Sequence, residues 1–111
     1  MKNMEKKLYE MHAEICKIFT SPKRLEIIDL LQNEERSVSE LLASTGLSQS
    51  NVSQHLGVLK ERGVVATRRE GNTIFYRIAN PKILEACRLM REVLLEKLEE
   101  GKKLATAVDR R

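Results

Sequence analysis

The chain has 111 residues, 41% of them hydrophobic and 32% charged, with a formal net charge of +4. That length suits one core of ordinary size, and the 4% aromatic content without Trp points to a core of Leu, Ile and Val. No apolar run approaches the roughly 18 residues of a membrane helix and the first residues form no apolar signal segment, so neither a span nor a secretory leader is expected, a cytoplasmic location is, and two cysteines do not make a secreted disulfide scaffold.

Residues 4–19 read as an amphipathic helix. Leu8, Met11, Ile15 and Ile18 follow helical spacing, and Phe19 widens the stripe. Ser21 reads as an N-cap and Pro22 as the first position of a second helix, which runs to about Gln32. There Leu25, Ile27, Ile28, Leu30 and Leu31 form a wide apolar face. Asn33 to Arg36 is a polar connection. Ser37 and Glu40 make an S-x-x-E capping box for a short third helix, whose Val38, Leu41 and Leu42 point inward. Gly46 is placed to end that helix in the left-handed conformation, and Ser48 caps the fourth.

On the fourth helix Val52, Leu56 and Leu59 recur at i, i+4 and i+7 as a buried stripe. Gly57 reads as a close-packing point, and Gly63 ends the helix. The period then changes. Val64 to Glu70 and Thr73 to Ile78 are rich in β-branched and aromatic residues, and Gly71-Asn72 between them forms a two-residue hairpin turn. A last helix starts at Asn80-Pro81 and runs over 81–99. Ile83, Cys87, Met90, Leu94 and Leu98 line one side of it. Residues 101–111 lose the pattern and read as a frayed tail.

The order helix, helix, helix–turn–helix, hairpin, helix defines an α+β, mainly α architecture: a winged helix-turn-helix, α-α-α-α-β-β-α, in a single domain over 1–111. Charge supports a nucleic-acid reading of it. Residues 36–80 hold six Lys/Arg against three acids, a net of +3, whereas residues 21–35 hold two against four, a net of −2. The fourth helix has no charged residue from 48 to 59. An ordinary solvated helix face is rich in Lys and Glu, and a face that reads base edges has reason to avoid acids, which repel phosphate.

The runs Ser21-Pro22-Lys23-Arg24-Leu25-Glu26-Ile27-Ile28, Ser48-Gln49-Ser50-Asn51-Val52-Ser53-Gln54-His55-Leu56 with Leu59, and Gly63-Val64-Val65 with Arg68-Arg69-Glu70-Gly71 and Tyr76-Arg77-Ile78 resemble the ArsR/SmtB family of repressors. The likeness covers roughly residues 8–100. It implies a homodimer assembled through the first and last helices, an operator of double-stranded DNA bound by the fourth helix and the wing, and release when an inducer binds. The chain departs from the family at its metal-sensing sites. Glu40-Leu41-Leu42-Ala43 holds no cysteine where third-helix sensors carry them, and the last helix has no His.

The candidate DNA contacts are Gln49, Ser50, Asn51, Ser53, Gln54, His55 and Lys60 on the fourth helix, and Arg68, Arg69 and Arg77 on the wing. Gln and Asn pair bidentately with adenine, while Ser, His and the cations reach phosphate or base edges. Lys23 and Arg24, near a helix N-terminus, are further phosphate candidates. The bland alternative for the wing arginines is edge-strand charge that blocks aggregation.

Cys16 and Cys87 are candidates for a thiol switch, by disulfide or persulfide chemistry or by capture of a soft ion such as As(III). Free cysteines are equally well read as small buried apolar residues. His12, one turn from Cys16, makes His12, Cys16 and Cys87 a candidate metal set; no metal or other cofactor is required. With no Gly-rich phosphate loop, no Ser/His/Asp spacing and no acidic pair in an apolar setting, an enzyme is not expected. A regulator without a sensor, or a winged helix used for protein contact, are the alternative functions.

Overall fold

The structure, a computed structural model, describes residues 2–109. Its elements are α1 (Lys2–Ile18), α2 (Pro22–Leu30), β1 (Arg36–Ser37), α3 (Val38–Thr45), α4 (Gln49–Glu61), β2 (Val65–Glu70), β3 (Thr73–Ile78) and α5 (Pro81–Asp109). Two units result, one ending at Asn80 and one beginning at Pro81.

In the first unit the helix ends are set locally. The Ser21 hydroxyl accepts the Arg24 N–H at 3.3 Å, with Pro22 where no N–H is needed. The Ser37 hydroxyl accepts the Glu40 N–H at 3.2 Å, and the Glu40 carboxylate accepts the Ser37 N–H at 3.3 Å, completing the capping box. Gly46 ends α3 with φ 70°. At the end of α4, Gly63 adopts φ 76°, which a side chain would strain. That turn lets the Val64 N–H reach the Leu59 carbonyl at 2.9 Å and the Gly63 N–H reach the Lys60 carbonyl at 3.0 Å. This is a Schellman stop, and it drops Val64 against the core beside Leu59.

The core gathers Ile27, Ile28 and Leu31 around α2, Leu41 of α3, Val52, Leu56 and Leu59 of α4, and Val64 and Val65 entering β2, with Ile18 at the end of α1. The sheet is antiparallel in the order β1-β3-β2. Glu70 pairs with Thr73 across the turn, and Gly71 alone of the two turn residues has positive φ, the pattern of a type II′ hairpin.

Several expectations need correction. Residues 36 and 37 are more than a connection and a cap: they pair with Tyr76 and Phe75 as a third strand. Two residues carry no readable alternation, so only the pairing reveals β1. Leu25 is 37% exposed, because α2 turns a narrower face inward than its apolar content suggested. Gly57 is exposed, and a Cβ built there meets nothing within 4 Å. It is an outward-facing residue and not a packing point.

Of the α1 stripe only Ile18 is buried, while Leu8, Met11 and Ile15 are exposed. In the second unit, α5 runs past residue 99, where its end was expected, and through Gly101 to Asp109. Residues 99–109 are mostly good helix formers, and the Thr106 hydroxyl donates to the Lys102 carbonyl at 2.9 Å. Residues 110 and 111 of the expected tail lie outside the described residues. Along α5, Cys87 is half-buried, and Met90, Leu94, Leu98, Leu104 and Val108 are exposed.

Neighbouring positions on α4 should therefore respond oppositely. Leu56, fully buried, should cost about 2–5 kcal/mol on Leu56→Ala. Gly57→Ala should instead stabilise by up to about 1 kcal/mol, the helix-propensity difference with no steric opposition. Urea unfolding at one fixed protein concentration measures both; destabilisation by Gly57→Ala would contradict the placement of that residue.

Candidate nucleic-acid interface

The interface begins with the Ser48 cap. Its hydroxyl accepts the Asn51 N–H at 3.2 Å and lies 3.3 Å from the Ser50 hydroxyl. From there α4 presents two faces. Val52, Leu56 and Leu59 have 0% exposure. Gln49, Ser50, Asn51, Ser53, Gln54, Gly57 and Lys60 are all exposed. Six uncharged side chains or gaps with hydrogen-bonding or minimal bulk are thus held by three fixed apolar anchors. Such a surface can enter a groove and exchange hydrogen bonds with base edges.

His55 sits apart from that set. It is half-buried at the margin, and its Nδ1 is shielded from solvent with no hydrogen-bond partner. Burial, then the nearby Arg24 charge, pushes its pKa below the ordinary 6.5. The ring is therefore neutral at physiological pH. With Nδ1 unpartnered, a bare acceptor costs less there than a stranded N–H, which favours the proton on Nε2.

On the wing the strand register separates the three arginines. Arg68 lies opposite Phe75, and Arg77 opposite Ala66, while Arg69 lies opposite Ile74. Alternation puts Arg68 and Arg77 on one face of the sheet and Arg69 on the other. Arg68 is tied down. Its Nε–H donates to both Glu35 carboxylate oxygens at 2.8 and 2.9 Å, its Nη2 also pairs with Glu35, and its Nη1 donates to Glu70 at 2.9 Å. The guanidinium also lies 4.7 Å from the Phe75 ring centroid. These hydrogen bonds hold the Glu35 carboxyl below its ordinary range. Arg69 makes one bond, Nε–H to the Gly71 carbonyl at 3.1 Å, and Arg77 is exposed.

The α2 cations have other work. Arg24 Nε–H donates to the Ile18 carbonyl at 2.8 Å and Nη2 to the Lys17 carbonyl at 3.3 Å, closing the end of α1. Lys23 pairs with Glu26 at 3.7 Å. Glu35 is the residue that the chain's local pattern concealed, because its partner lies 33 positions away.

Cys16 is exposed on α1. Burial pushes the Cys87 thiol up, with the Arg91 charge opposing it. Among the described residues no group of three or more His, Cys, Asp and Glu side chains could hold a metal ion. His12 and Cys16, one turn apart on α1, supply two donors at most. No helix among the described residues is long and apolar enough to cross a membrane.

The depressed pKa of His55 has a definite sign. A group whose folded pKa lies below its unfolded value favours the folded state above the unfolded pKa, and that advantage is lost as pH falls through the folded pKa. Urea midpoints should fall between pH 7.5 and pH 5.5 in the wild type, and fall less in His55→Gln. Equal falls in both would remove His55 as the cause.

Comparison with known proteins agrees with this geometry. Residues 21–67, from the cap of α2 into β2, match the model of the bacterial regulatory protein, arsR family. An HTH-type transcriptional regulator of Mycobacterium tuberculosis is 48% identical over 94 residues, covering 84% of this chain and 82% of that protein. The crystal structure of M. tuberculosis Rv0081 superposes with a TM-score of 0.78 at 47% identity, over 84% of this chain and 94% of that one. The homodimeric winged helix-turn-helix DNA-binding domain Mb0332 of Mycobacterium bovis gives 0.79 at 34% identity, over 86% and 89%. The transcriptional repressor BigR of Xylella fastidiosa gives 0.68 at 35%, over 86% and 94%. The helix-turn-helix with its wing, the match from α2 into β2 and the relatives sharing most of their length make this chain a member of the arsR family, a winged helix-turn-helix transcriptional regulator.

Proposed function

We propose that the protein is a cytoplasmic homodimeric repressor whose two α4 helices read the half-sites of an operator one DNA turn apart. The observation that carries this reading is the exposed, uncharged face of Gln49, Ser50, Asn51, Ser53 and Gln54, anchored behind by Val52, Leu56 and Leu59 at 0% exposure. Lys60 closes that face with a cation, and His55 borders it as a neutral donor. Asn51 and Gln54 carry base readout, since their amides match adenine bidentately. Arg69 and Arg77 supply phosphate contact, and Arg68 joins them only when it leaves Glu35.

The pairing reading is supported by the apolar side chains exposed on α1 and on α5, each of which needs a cover. The M. bovis relative is a homodimer and BigR is a repressor, which favours both terms of the proposal. A dyad places two recognition helices roughly 34–36 Å apart, so the operator is an inverted repeat.

For an inducer, the thiol reading of Cys16 and Cys87 centres on Cys16, the exposed cysteine. The raised pKa of Cys87 leaves it less thiolate and makes it the poorer nucleophile. Mass-resolved alkylation of the native protein at pH 8 should label Cys16 before Cys87, and Cys16→Ser should abolish any effect of oxidant on operator affinity. Faster labelling of Cys87 would reverse this assignment.

The DNA contacts separate by salt and sequence. Asn51→Ala or Gln54→Ala should cost about 1–3 kcal/mol on the operator and far less on random DNA. Arg69→Ala should weaken all sequences alike and reduce the slope of log K against log salt by about one per protomer. Gel-shift and anisotropy titrations from low to physiological salt measure both; equal losses on operator and random DNA in the α4 variants would rule out base reading.

A further inference from the structure

Glu35 stands in the polar link between α2 and β1, two residues before Ser37. Ser37 pairs with Phe75, and Phe75 pairs with Arg68, so alternation sets Glu35 on the same face of the sheet as Arg68. The contact follows: three donors of the guanidinium are engaged, Nε and Nη2 by Glu35 and Nη1 by Glu70, and its Cζ lies over the Phe75 ring. Arginine grips a phosphate with the same parallel pair of donors that it gives a carboxylate. The Glu35 carboxylate therefore fills the position on Arg68 that a DNA phosphate would take.

The charge balance agrees. Arg68 with Glu35 and Glu70 sums to −1, and adding Arg77, whose charge also reaches Glu35, brings that face of the wing to zero. A hairpin that counts three arginines thus offers a neutral cluster on one face and Arg69 on the other.

We propose that Glu35 is an internal phosphate mimic that withholds Arg68 from DNA, lowering sequence-blind attraction so that α4 decides where the protein binds. It rests on the operator-binding reading. Nonspecific affinity rises with each phosphate neutralised, and each contact adds about 0.9 to the salt slope. Removing the Glu35 charge restores one such contact per protomer.

The test titrates a duplex of random sequence with the full chain over a range of salt. Glu35→Gln, which keeps the shape of the side chain, steepens the slope by about one per protomer, about two per dimer, and tightens random DNA at low salt. Glu35→Ala does the same, and far-UV circular dichroism shows both variants folded. Arg68→Ala leaves the wild-type slope unchanged and cancels the gain of Glu35→Gln when the two are combined. The proposal falls if Arg68→Ala alone flattens the slope by about one per protomer, because Arg68 then already holds phosphate. It falls equally if the Glu35→Gln gain persists without Arg68, because general charge then explains it.

A readout without DNA separates this failure from failure of the operator reading. In the free protein, the Arg68 Nε–H resonance exchanges slowly with water and loses that protection in Glu35→Gln. Fast exchange in the wild type overturns the mimic on its own. A protected Nε–H in a wild type that binds no DNA at any salt overturns the operator reading, and the mimic with it.

Discussion

Val52, Leu56 and Leu59 set the orientation of the polar face of α4. They are three points on one side of a 13-residue helix, each with 0% exposure, and their spacing leaves α4 a single way to lie on the core. The Schellman stop fixes the end of the same helix: the bond from Val64 to Leu59 makes an anchor residue also the point from which β2 departs. Helix α4 and the wing are thus referenced to one apolar cluster. Rotation of α4 about its axis would expose that cluster, so the polar face is held by core burial and needs no hydrogen bonds of its own. Beyond the Ser48–Ser50 hydroxyl contact, the side chains of this face are exposed to an external partner.

The electrostatic design is sparer than the residue count suggests. Arg24 is spent on the carbonyls ending α1, and Arg36 donates to the Leu30 carbonyl at 2.8 Å and pairs with Glu34 at 3.4 Å. Arg62 pairs with Glu14 at 3.6 Å, and Arg68 with Glu35 and Glu70. These arginines serve as fasteners between segments of the fold. Arg69, Arg77 and Lys60 are left with exposed charge around an uncharged helix face. Under the proposed operator reading, these exposed cations supply the sequence-blind attraction and the amide and hydroxyl groups of α4 the discrimination.

How much could be read from sequence follows from the range of each interaction. Caps, the capping box, the Gly46 stop and the Gly71 turn are encoded within a few residues, and they stand where the residues indicated. The α4 stripe was legible because its period reports one burial face directly. Strand β1 was hidden, since two residues have no period and their partners lie about forty positions on. The Arg68–Glu35 contact was hidden for the same reason, and so was the splitting of the wing arginines, which requires the register. Gly57 misled in a different way. A glycine inside a helix signals only that a side chain is missing, and says nothing about whether protein or open space lies beyond it.

The apolar faces of α1 and α5 complete the physical picture. A fully buried Leu or Met gains about 1.5–3 kcal/mol over an exposed one, so Leu8 and Met11 on α1, and Leu94 and Leu98 on α5, leave a substantial gain unrealised in one chain. Helix α5 has 29 residues, a length of about 44 Å, and long helices owe most of their stability to packing of an apolar side. Under the proposed pairing, those faces are where a second copy is recognised, and they set the distance between two α4 helices. DNA has a fixed helical repeat, so a small change in that distance costs both half-sites at once. Control of such a protein does not need to reach the base-reading side chains. Under that proposal, a ligand or modification that alters how α1 or α5 packs would change operator affinity through spacing alone, with the fold of each winged helix intact.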